Sequence, residues 1–257
     1  ASALSACGAK VAILDLKEDA AAGKAREIND AGGTAMGVSA DVLDAESLRA
    51  AAERVRKEFG KCDILINGAG GNHPRGTTTH DWLEPGEALT GVEGTRSFFD
   101  LDRASVEFVF GLNFIGTLLA TQEFARDMVE RGGTVLNVSS MNALRPLTRI
   151  PAYSAAKAAV SNFTQWLAVY LAKSNIRVNA MAPGFFLTEQ NRSLLVQPDG
   201  APTPRAGKIL AHTPMGRFGS PGDLVGTLLW LVDERSSGFV TGTVIPVDGG
   251  FSAYSGV

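Results

Sequence analysis

Residues 140–157 decide the fold and the chemistry of this chain, and they read Ser140-Met141-Asn142-Ala143-Leu144-Arg145-Pro146-Leu147-Thr148-Arg149-Ile150-Pro151-Ala152-Tyr153-Ser154-Ala155-Ala156-Lys157. Tyr153 and Lys157 are four positions apart where an apolar, alanine-rich helix begins, so their side chains project from one helical face. Residues 133–140 are typical of a buried strand, and this strand ends in two serines. We therefore expect a hydroxyl, a phenol and an amine to lie close together.

The phenol and the amine are chemically coupled in this arrangement. A free phenol has a pKa of about 10 and is a poor proton relay at neutral pH. A nearby ammonium group favours the phenolate and lowers that pKa, so Tyr153 could act as general acid and base. Ser140 could hydrogen-bond the oxygen that Tyr153 protonates. A Tyr-x-x-x-Lys pair alone also occurs by chance on surface helices, but the strand and the two serines at this spacing argue against chance.

A second motif, Asn67-Gly68-Ala69-Gly70, follows a short predicted strand upstream. Together with the constellation above it resembles the short-chain dehydrogenase/reductase family, over essentially the whole chain, although the family usually has asparagine where this chain has Gly68. The resemblance implies reversible carbonyl reduction by hydride transfer from a nicotinamide cofactor, with no metal. It also implies that Ser140 orients the carbonyl, Tyr153 supplies the proton, and Lys157 lowers the phenol pKa and holds the nicotinamide ribose.

Asn113 is the fourth residue of the expected catalytic set. It lies among apolar neighbours in the middle of a predicted helix, where an asparagine is unfavourable unless its amide is used. In the family, an asparagine at this place holds a water that links the active-site lysine to solvent. The alternative is a packed structural amide.

Asp15 ends the first visible strand, where a carboxylate would accept two hydrogen bonds from the adenine ribose and repel a 2′-phosphate. NAD(H) is therefore expected rather than NADP(H), although Lys17 weakens this argument and a helix-capping role is the alternative. By resemblance, Asp41 and Val42 contact the adenine, and the turn after the third predicted strand upstream of Gly70 lies against the cofactor. The backbone of Phe186 and the hydroxyl of Thr188 contact the nicotinamide carboxamide. The expected cofactor-binding residues are Asp15, Asp41, Val42, Asn67, Gly68, Ala69, Tyr153, Lys157, Pro183, Gly184, Phe186 and Thr188.

Length and composition favour one domain over residues 1–257, because 45% of the residues are hydrophobic and no linker-like run divides the chain. A net charge of −3 without a cluster of Lys or Arg argues against a nucleic-acid partner. No stretch is expected to span a membrane, and no His/Cys/Asp/Glu cluster has metal-ligand spacing. Cys7 and Cys62 are expected to be reduced core residues, and without a signal-peptide pattern a cytoplasmic location follows.

Strand and helix patterns alternate along the chain. This predicts a doubly wound parallel sheet of the Rossmann type with helices on both faces, a three-layer α/β/α architecture. Strands are predicted at 10–15, 34–40, 63–66, 133–140, 176–181 and 243–247. Helices are predicted at 18–31, 44–59, 104–131 and 221–232, besides the one that begins near Tyr153.

The N-terminal end departs from this plan. Residues 1–7 are typical of the end of a helix that stops at Gly8, whereas a nucleotide-binding α/β fold should open with a strand and a glycine-rich turn. We therefore expect the first strand and the Gly-rich turn to be missing here, and the natural protein to begin roughly 25–30 residues earlier.

Two long segments are expected to cover the site, the substrate loop (71–103) and the lid segment (185–215), because long loops in compact domains are usually functional. His73 and Arg75 in the substrate loop, and Asn142 and Arg145 after the catalytic serine, are candidates for contact with a small, hydroxylated, anionic substrate. Each arginine could instead be solvated or paired with Asp or Glu.

Within the family, an Asn-His-Pro-Arg loop followed by a long insertion resembles the sugar-acid members that interconvert D-fructuronate and D-mannonate. A gluconate-type polyol dehydrogenase is the nearest alternative. A 3-oxoacyl thioester reductase would need a basic docking surface and should prefer NADPH, and Asp15 counts against it. A non-enzymatic scaffold relative would typically lack Tyr153 or Lys157, and both are present.

The helix that follows Lys157 is apolar on more than one face and includes Phe163, Trp166 and Tyr170. By resemblance we expect it to pack on a partner subunit in a homotetramer. A fully buried helix in a monomer is the alternative.

Overall fold

Parallel strands form the centre of the molecule within residues 1–84, 86, 94–188 and 192–256, the part of the chain that the computed structural model describes. The strands are β1 (Lys10–Asp15), β2 (Thr34–Ser39), β3 (Ile64–Asn67), β4 (Gly133–Val138), β5 (Ile176–Pro183) and β6 (Val244–Val247). The α-helices are α1 (Ser2–Ala6), α2 (Glu18–Asp30), α3 (Ala45–Phe59), α4 (Arg103–Phe110), α5 (Gly116–Phe124), α6 (Pro151–Leu171), α7 (Arg192–Leu195), α8 (Pro204–Ala211), α9 (Val225–Val232) and α10 (Glu234–Ser237). The predicted strands and helices are confirmed, with ends that differ by a few residues.

The strands pair in two groups, and every pairing is parallel. β1 pairs with β2, and the second group has the order β3-β4-β5-β6. In the described part of the chain, no strand joins β1 to β3.

Adjacent side chains of β4 show that helices cover both faces of the sheet. Val135 is fully buried in a cluster with Leu167 of α6, whereas the next residue, Leu136, is fully buried in a cluster with Leu231 of α9. Because successive side chains of a strand point to opposite faces, α6 and α9 lie on opposite sides of the sheet. The prediction of a three-layer α/β/α fold is confirmed.

A further cluster holds the two groups of strands together. Leu48 and Val55 of α3 are buried with Val38 of β2, and Leu65 of β3 packs against the same cluster. Burying one such aliphatic side chain stabilises a fold by about 1.5–3 kcal/mol. The helix layer therefore spans both groups, although hydrogen bonds do not join them.

The segment between Arg103 and Met128 is a long helix in which the hydrogen-bonding pattern changes. α4 passes through a π-helical turn, Gly111–Ile115, into α5 and then into a 3-10 turn, Ala125–Met128. This segment has the length and mean hydropathy, 1.5, to cross a membrane, so the expectation that no stretch has these properties is wrong. Here it packs against α3 and α6, and core helices often have the same composition.

Several other features differ from the sequence-based expectations. The lid segment contains α7 and α8, and Thr203 caps α8 by accepting a hydrogen bond from N of Ala206 at 3.2 Å. Both cysteines are unpaired, but Cys7 is exposed rather than in the core. Burial raises the pKa of Cys62 to about 12, so this thiol stays protonated. Residues 85 and 87–93 of the substrate loop and 189–191 of the lid segment lie outside the described residues.

Candidate active site

The end of β4 carries two serines with different partners. Ser139 anchors the strand to α6, because its Oγ donates to O of Lys157 at 3.1 Å and lies 2.7 Å from Oγ of Ser161. Ser140 opens the 3-10 turn Met141–Ala143, where its Oγ accepts from N of Asn142 at 3.3 Å. The strand was predicted to include both serines but ends at Val138. Ser140 is therefore held at the carboxyl end of the strand by a neighbour that is itself fixed.

The helix α6 brings Tyr153 and Lys157 to the same strand end. It begins at Pro151, whose fixed φ suits the first helical position. The Ser140 hydroxyl lies close enough to Tyr153 to lower the pKa of its phenol. Lys157 is only 4% exposed; its Nζ donates to O of Val138 at 2.8 Å and lies 5.7 Å from the centroid of the Tyr153 ring. The structure thus brings the hydroxyl, the phenol and the amine together.

The pKa values at this site are set by burial. Burial raises the pKa of Tyr153, and the nearby Ser140 hydroxyl offsets this only in part. Burial also lowers the pKa of Lys157, to about 8. The desolvation of the phenol therefore outweighs the lowering of its pKa that was expected from Lys157, whose ammonium donates to the Val138 carbonyl. At neutral pH Tyr153 is a neutral phenol beside a charged amine.

Asn113 lies in the π-helical turn and is fully buried beside the turn that follows β3. Its Nδ2 donates to O of Gly71 at 2.7 Å and to O of Val109 at 2.8 Å, and its Oδ1 accepts from N of Gly71 at 3.2 Å. A Cβ atom on Gly70 would lie 2.7 Å from Oδ1 of Asn113 and 3.1 Å from Nζ of Lys157. Both side chains therefore converge on the space left by the missing side chain of Gly70.

We expect Gly70→Ala to lower kcat by a factor of about 10 to 100. Displacing a catalytic group by up to about 1 Å has effects of this size. The new methyl group would have to displace Asn113, whose amide is held by three hydrogen bonds. Gly23→Ala in α2 is the matched control, because a Cβ there would meet nothing within 4 Å and this glycine belongs to no candidate site. Steady-state kinetics and thermal unfolding of both variants provide the test. A Gly70→Ala enzyme as active as Gly23→Ala would contradict the geometry.

A chain of buried hydrogen bonds fixes α5 relative to α6. We call it the buried amide chain, and its members are Asn113, Thr117, Thr121, Asn67, Asn137 and Thr164. The Thr117 hydroxyl donates to O of Asn113 at 2.8 Å and the Thr121 hydroxyl to O of Thr117 at 2.7 Å. Nδ2 of Asn67 donates to Oγ1 of Thr121 at 2.9 Å and to Oδ1 of Asn137 at 2.8 Å. Nδ2 of Asn137 then donates to Oγ1 of Thr164, on α6, at 2.9 Å. Since Nδ2 of Asn67 is used here, any contact of this residue with a cofactor would involve its backbone or its amide oxygen.

Two carboxylates lie near the carboxyl ends of the neighbouring strands β1 and β2. Oδ1 of Asp15 accepts from N of Lys17 at 2.8 Å, and Oδ1 of Asp41 accepts from N of Leu43 at 2.8 Å. Oδ2 of each makes no hydrogen bond within the described residues. Val42 packs closely against Gly116, where a Cβ would lie 2.8 Å from its Cγ2. In parallel α/β sheets this edge is where nucleotide ligands bind, so the free oxygens suit the donors of a ribose.

The segment 183–188 is fixed by the strands behind it. N of Gly184 donates to O of Val247 at 3.0 Å, and a Cβ on Gly184 would lie 2.6 Å from Cβ of Asp248, so a side chain does not fit there. Phe186 forms a parallel bridge with Gly219, next to the hydrogen bond from N of Leu187 to O of Gly219 at 3.0 Å. Pro183 ends β5 and Thr188 ends this part of the described chain.

The four candidate substrate residues are in different environments. Nδ1 of His73 accepts from N of Arg75 at 3.2 Å, Nη2 of Arg75 lies 3.4 Å from Oδ2 of Asp102, and Nε of Arg145 donates to O of Ser252 at 3.1 Å. None of these contacts reaches Ser140 or Tyr153. Asn142 is different, because it is 5% exposed, follows Ser140 by two positions, and its Oδ1 has no hydrogen-bond partner among the described residues.

Sequence reasoning missed three parts of this site. They are Gly70, the carbonyl of Val138, and Asp81 of the substrate loop, whose carboxylate contacts Arg149 just before α6. The glycine that closes the Asn67-Gly68-Ala69-Gly70 motif was a usable signal for the first. The other two depend on contacts between distant segments.

Comparison with known proteins gives matches over nearly the whole chain. The family model described as enoyl-(acyl carrier protein) reductase matches residues 1–252. An uncharacterized oxidoreductase of Haemophilus influenzae is 55% identical over 250 residues, 97% of this chain and 86% of that protein. An uncharacterized oxidoreductase of Bacillus subtilis is 53% identical over 251 residues, 97% of this chain and 88% of that protein. A solved structure from Haemophilus influenzae, provisionally named a D-mannonate oxidoreductase and holding NAD, has 54% identity and a TM-score of 0.93, covering 99% of this chain and 90% of that one.

Proposed function

Because this chain belongs to the short-chain dehydrogenase/reductase family, whose members are oxidoreductases acting on alcohols and ketones, we propose that it interconverts the ketone and the secondary alcohol of a sugar acid with NAD(H). D-fructuronate and D-mannonate are the proposed pair. The observation that carries the substrate proposal is the unsatisfied Oδ1 of Asn142 beside Ser140. The relative named as a D-mannonate oxidoreductase supports it.

The proposed cofactor fits the residues at the strand ends. Asp15 offers Oδ2 to the adenine ribose, and its negative charge disfavours the 2′-phosphate of NADP(H). Asp41 and Val42 would contact the adenine, and residues 183–188 would contact the carboxamide of the nicotinamide. Gly68 leaves open space beside the same edge. When bound, NADH supplies the hydride.

The protein's own groups perform the proton transfer in this proposal. Ser140 holds the substrate carbonyl oxygen, and Tyr153 donates its phenolic proton to that oxygen. The raised pKa keeps Tyr153 protonated and ready for the reduction direction. The buried ammonium of Lys157 stabilises the negative charge that develops on the phenol as the proton leaves. Asn113 fixes the turn that faces Lys157 through its bonds with Gly71.

The substrate class follows from the polar group next to the reacting carbonyl. A buried amide oxygen without a donor is unfavourable by about 1–3 kcal/mol, and a substrate hydroxyl could satisfy it. A site for a steroid or a long acyl chain would instead be lined mainly by apolar side chains. Arg75 contacts Asp102 through Nη2 and Arg145 contacts the Ser252 carbonyl through Nε, so in this proposal a carboxylate binds to the other N–H groups of these guanidinium groups.

The test is a panel of carbonyl substrates with NADH and with NADPH. We expect the fastest oxidation of NADH with D-fructuronate, slower turnover of 5-keto-D-gluconate, and little with an acetoacetyl thioester. Asn142→Ala should lose most of the preference for D-fructuronate, because a site that hydrogen-bonds a hydroxyl discriminates through that bond. Equal rates with NADPH would contradict the role of Asp15, and a preference for the thioester would contradict the sugar-acid proposal.

The proposal includes a homotetramer, supported by an exposed aromatic surface on α6. Trp166 and Tyr170 stack with ring centroids 5.0 Å apart and are 57% and 69% exposed, and Val169 between them is 80% exposed. Exposed apolar patches of this kind usually mark protein interfaces. Sedimentation velocity decides between this assembly and a monomer. A cytoplasmic location, supported by the two unpaired cysteines, belongs to the same proposal.

A further inference from the structure

Asp81 in the substrate loop contacts two other segments of the chain. Its Oδ1 accepts from Nε of Arg149 at 2.5 Å and from Oγ1 of Thr148 at 3.2 Å. Its Oδ2 lies 3.6 Å from Nζ of Lys208 on α8. The hydrogen bond with Arg149 holds the pKa of the Asp81 carboxyl below its usual range. One carboxylate therefore joins the substrate loop, the segment before α6 and the lid segment.

Arg149 has a backbone conformation that requires support. Its φ is 70°, in the left-handed region that residues with a side chain rarely adopt. Such a conformation costs roughly 1–3 kcal/mol and persists where the surroundings hold it. The carbonyl of Arg149 accepts from N of Thr78 at 2.9 Å, while its side chain bonds with Asp81. The substrate loop thus holds both the backbone and the side chain of Arg149.

The position of Arg149 connects this contact to the active site. Arg149 lies two positions before Pro151, the first residue of α6, and Tyr153 lies in the first turn of that helix. A change in the backbone at Arg149 therefore moves the turn that carries the phenol. An isolated exposed ion pair contributes little, but here the Asp81 side chain is 27% exposed and has two hydrogen-bond donors, with a second cation 3.6 Å away.

We propose that Asp81 is a positioning residue that holds Tyr153 in place through Arg149 and joins the lid helix α8 to the same carboxylate through Lys208. This inference rests on the proposed role of Tyr153. The contacts of Asp81 with Arg149 and with Lys208 have different expected effects, so separate variants can test them. The contact with Arg149 affects the chemical step, whereas the contact with Lys208 affects how α8 is held against the substrate loop.

The test uses the variants Asp81→Ala and Lys208→Met. Glu46→Ala is the matched control, because it removes an exposed ion pair on α3, between Glu46 and Arg49 at 2.6 Å, away from the site. We expect Asp81→Ala to lower kcat about tenfold and to speed hydrogen–deuterium exchange in residues 147–152 and 204–211. Lys208→Met should speed exchange in 204–211 alone and raise KM severalfold at unchanged kcat. Glu46→Ala should leave all of these values unchanged.

Exchange is measured without substrate, so it tests the inference even if the proposed substrate is wrong. Unchanged exchange in residues 147–152 of Asp81→Ala would overturn the inference, as would a kcat equal to that of Glu46→Ala. If Asp81→Ala only lowers the thermal midpoint and leaves kcat and local exchange unchanged, Asp81 is a stabilising surface residue and the inference is wrong. If only the substrate panel fails, the proposed substrate is wrong, and the hydrogen–deuterium exchange measurement still tests the role of Asp81.

Discussion

Replacing Tyr153 by phenylalanine is expected to lower kcat by a factor of about 10² to 10⁴, the usual contribution of a positioned general acid. This corresponds to about 3 to 5 kcal/mol of transition-state stabilisation. The ring of Tyr153 packs against a buried cluster with Val109 and Ala156, and phenylalanine preserves that packing. The loss should therefore appear in kcat, with little change in the thermal midpoint.

The Tyr153→Phe result is interpretable only with a binding measurement and a control. NADH fluorescence should show that cofactor binding changes severalfold at most, because the phenol contributes at most part of the contacts. Tyr254→Phe serves as the matched control, because it removes the phenolic oxygen of a tyrosine that is 42% exposed and belongs to no candidate site. A Tyr153→Phe enzyme within a factor of three of the wild-type kcat would remove Tyr153 from the mechanism.

Replacing Lys157 by methionine should abolish most of the activity and stabilise the fold. The ammonium is buried, and its pKa is lowered from the 10.5 of a free lysine to about 8. Keeping the proton on this group at pH 7 therefore costs about 3 kcal/mol relative to the unfolded chain. Methionine removes that cost but leaves the Val138 carbonyl without its donor, which offsets about 1 kcal/mol of the gain. We expect a more stable protein with a much lower kcat.

The lowered pKa of Lys157 predicts how the free energy of unfolding changes with pH. Between pH 8 and 10.5 the unfolded chain holds the Lys157 proton more tightly than the folded protein does, so Lys157 contributes a rise of the free energy of unfolding with pH in this window, which the raised pKa of Cys62 opposes above pH 9. The Lys157→Met variant should lack this rise, and Lys173→Met, which changes an exposed lysine, should retain it. Denaturant unfolding at pH 7, 8, 9 and 10 measures the difference. Equal slopes in wild type and Lys157→Met would contradict the lowered pKa.

Local spacing was sufficient to predict the centre of this site. Tyr153 and Lys157 share a helical face by the period of the helix, and a buried strand that ends in serines must leave Ser140 at the edge of a parallel sheet. The alternation of strands and helices likewise predicted the three layers, because each pattern repeats over many residues. These inferences depend on neighbours in sequence, and such neighbours are visible without a structure.

The remaining features depend on the approach of distant segments. The partner of Arg145 is the carbonyl of Ser252, 107 positions away, and no local pattern indicates it. The space beside Gly70 exists only because the π-helical turn carries Asn113 to the end of β3. The net direction of the Tyr153 pKa shift could not be predicted from the spacing for the same reason. It depends on how deeply the phenol is buried and on which carbonyl the Lys157 ammonium meets.

The buried amide chain has a consequence for how the site can arise. Asn67 bonds with Thr121 and Asn137, which are 54 and 70 positions away, so no single strand–helix unit contains more than a part of the chain. Contacts of such long range form late because many residues must be ordered before they close. We therefore expect the active site to be among the last regions to become native during refolding, after most of the sheet has assembled. Residues 140–157 grafted onto another scaffold would keep their sequence but lose the relative placement of the two helices on which their chemistry depends.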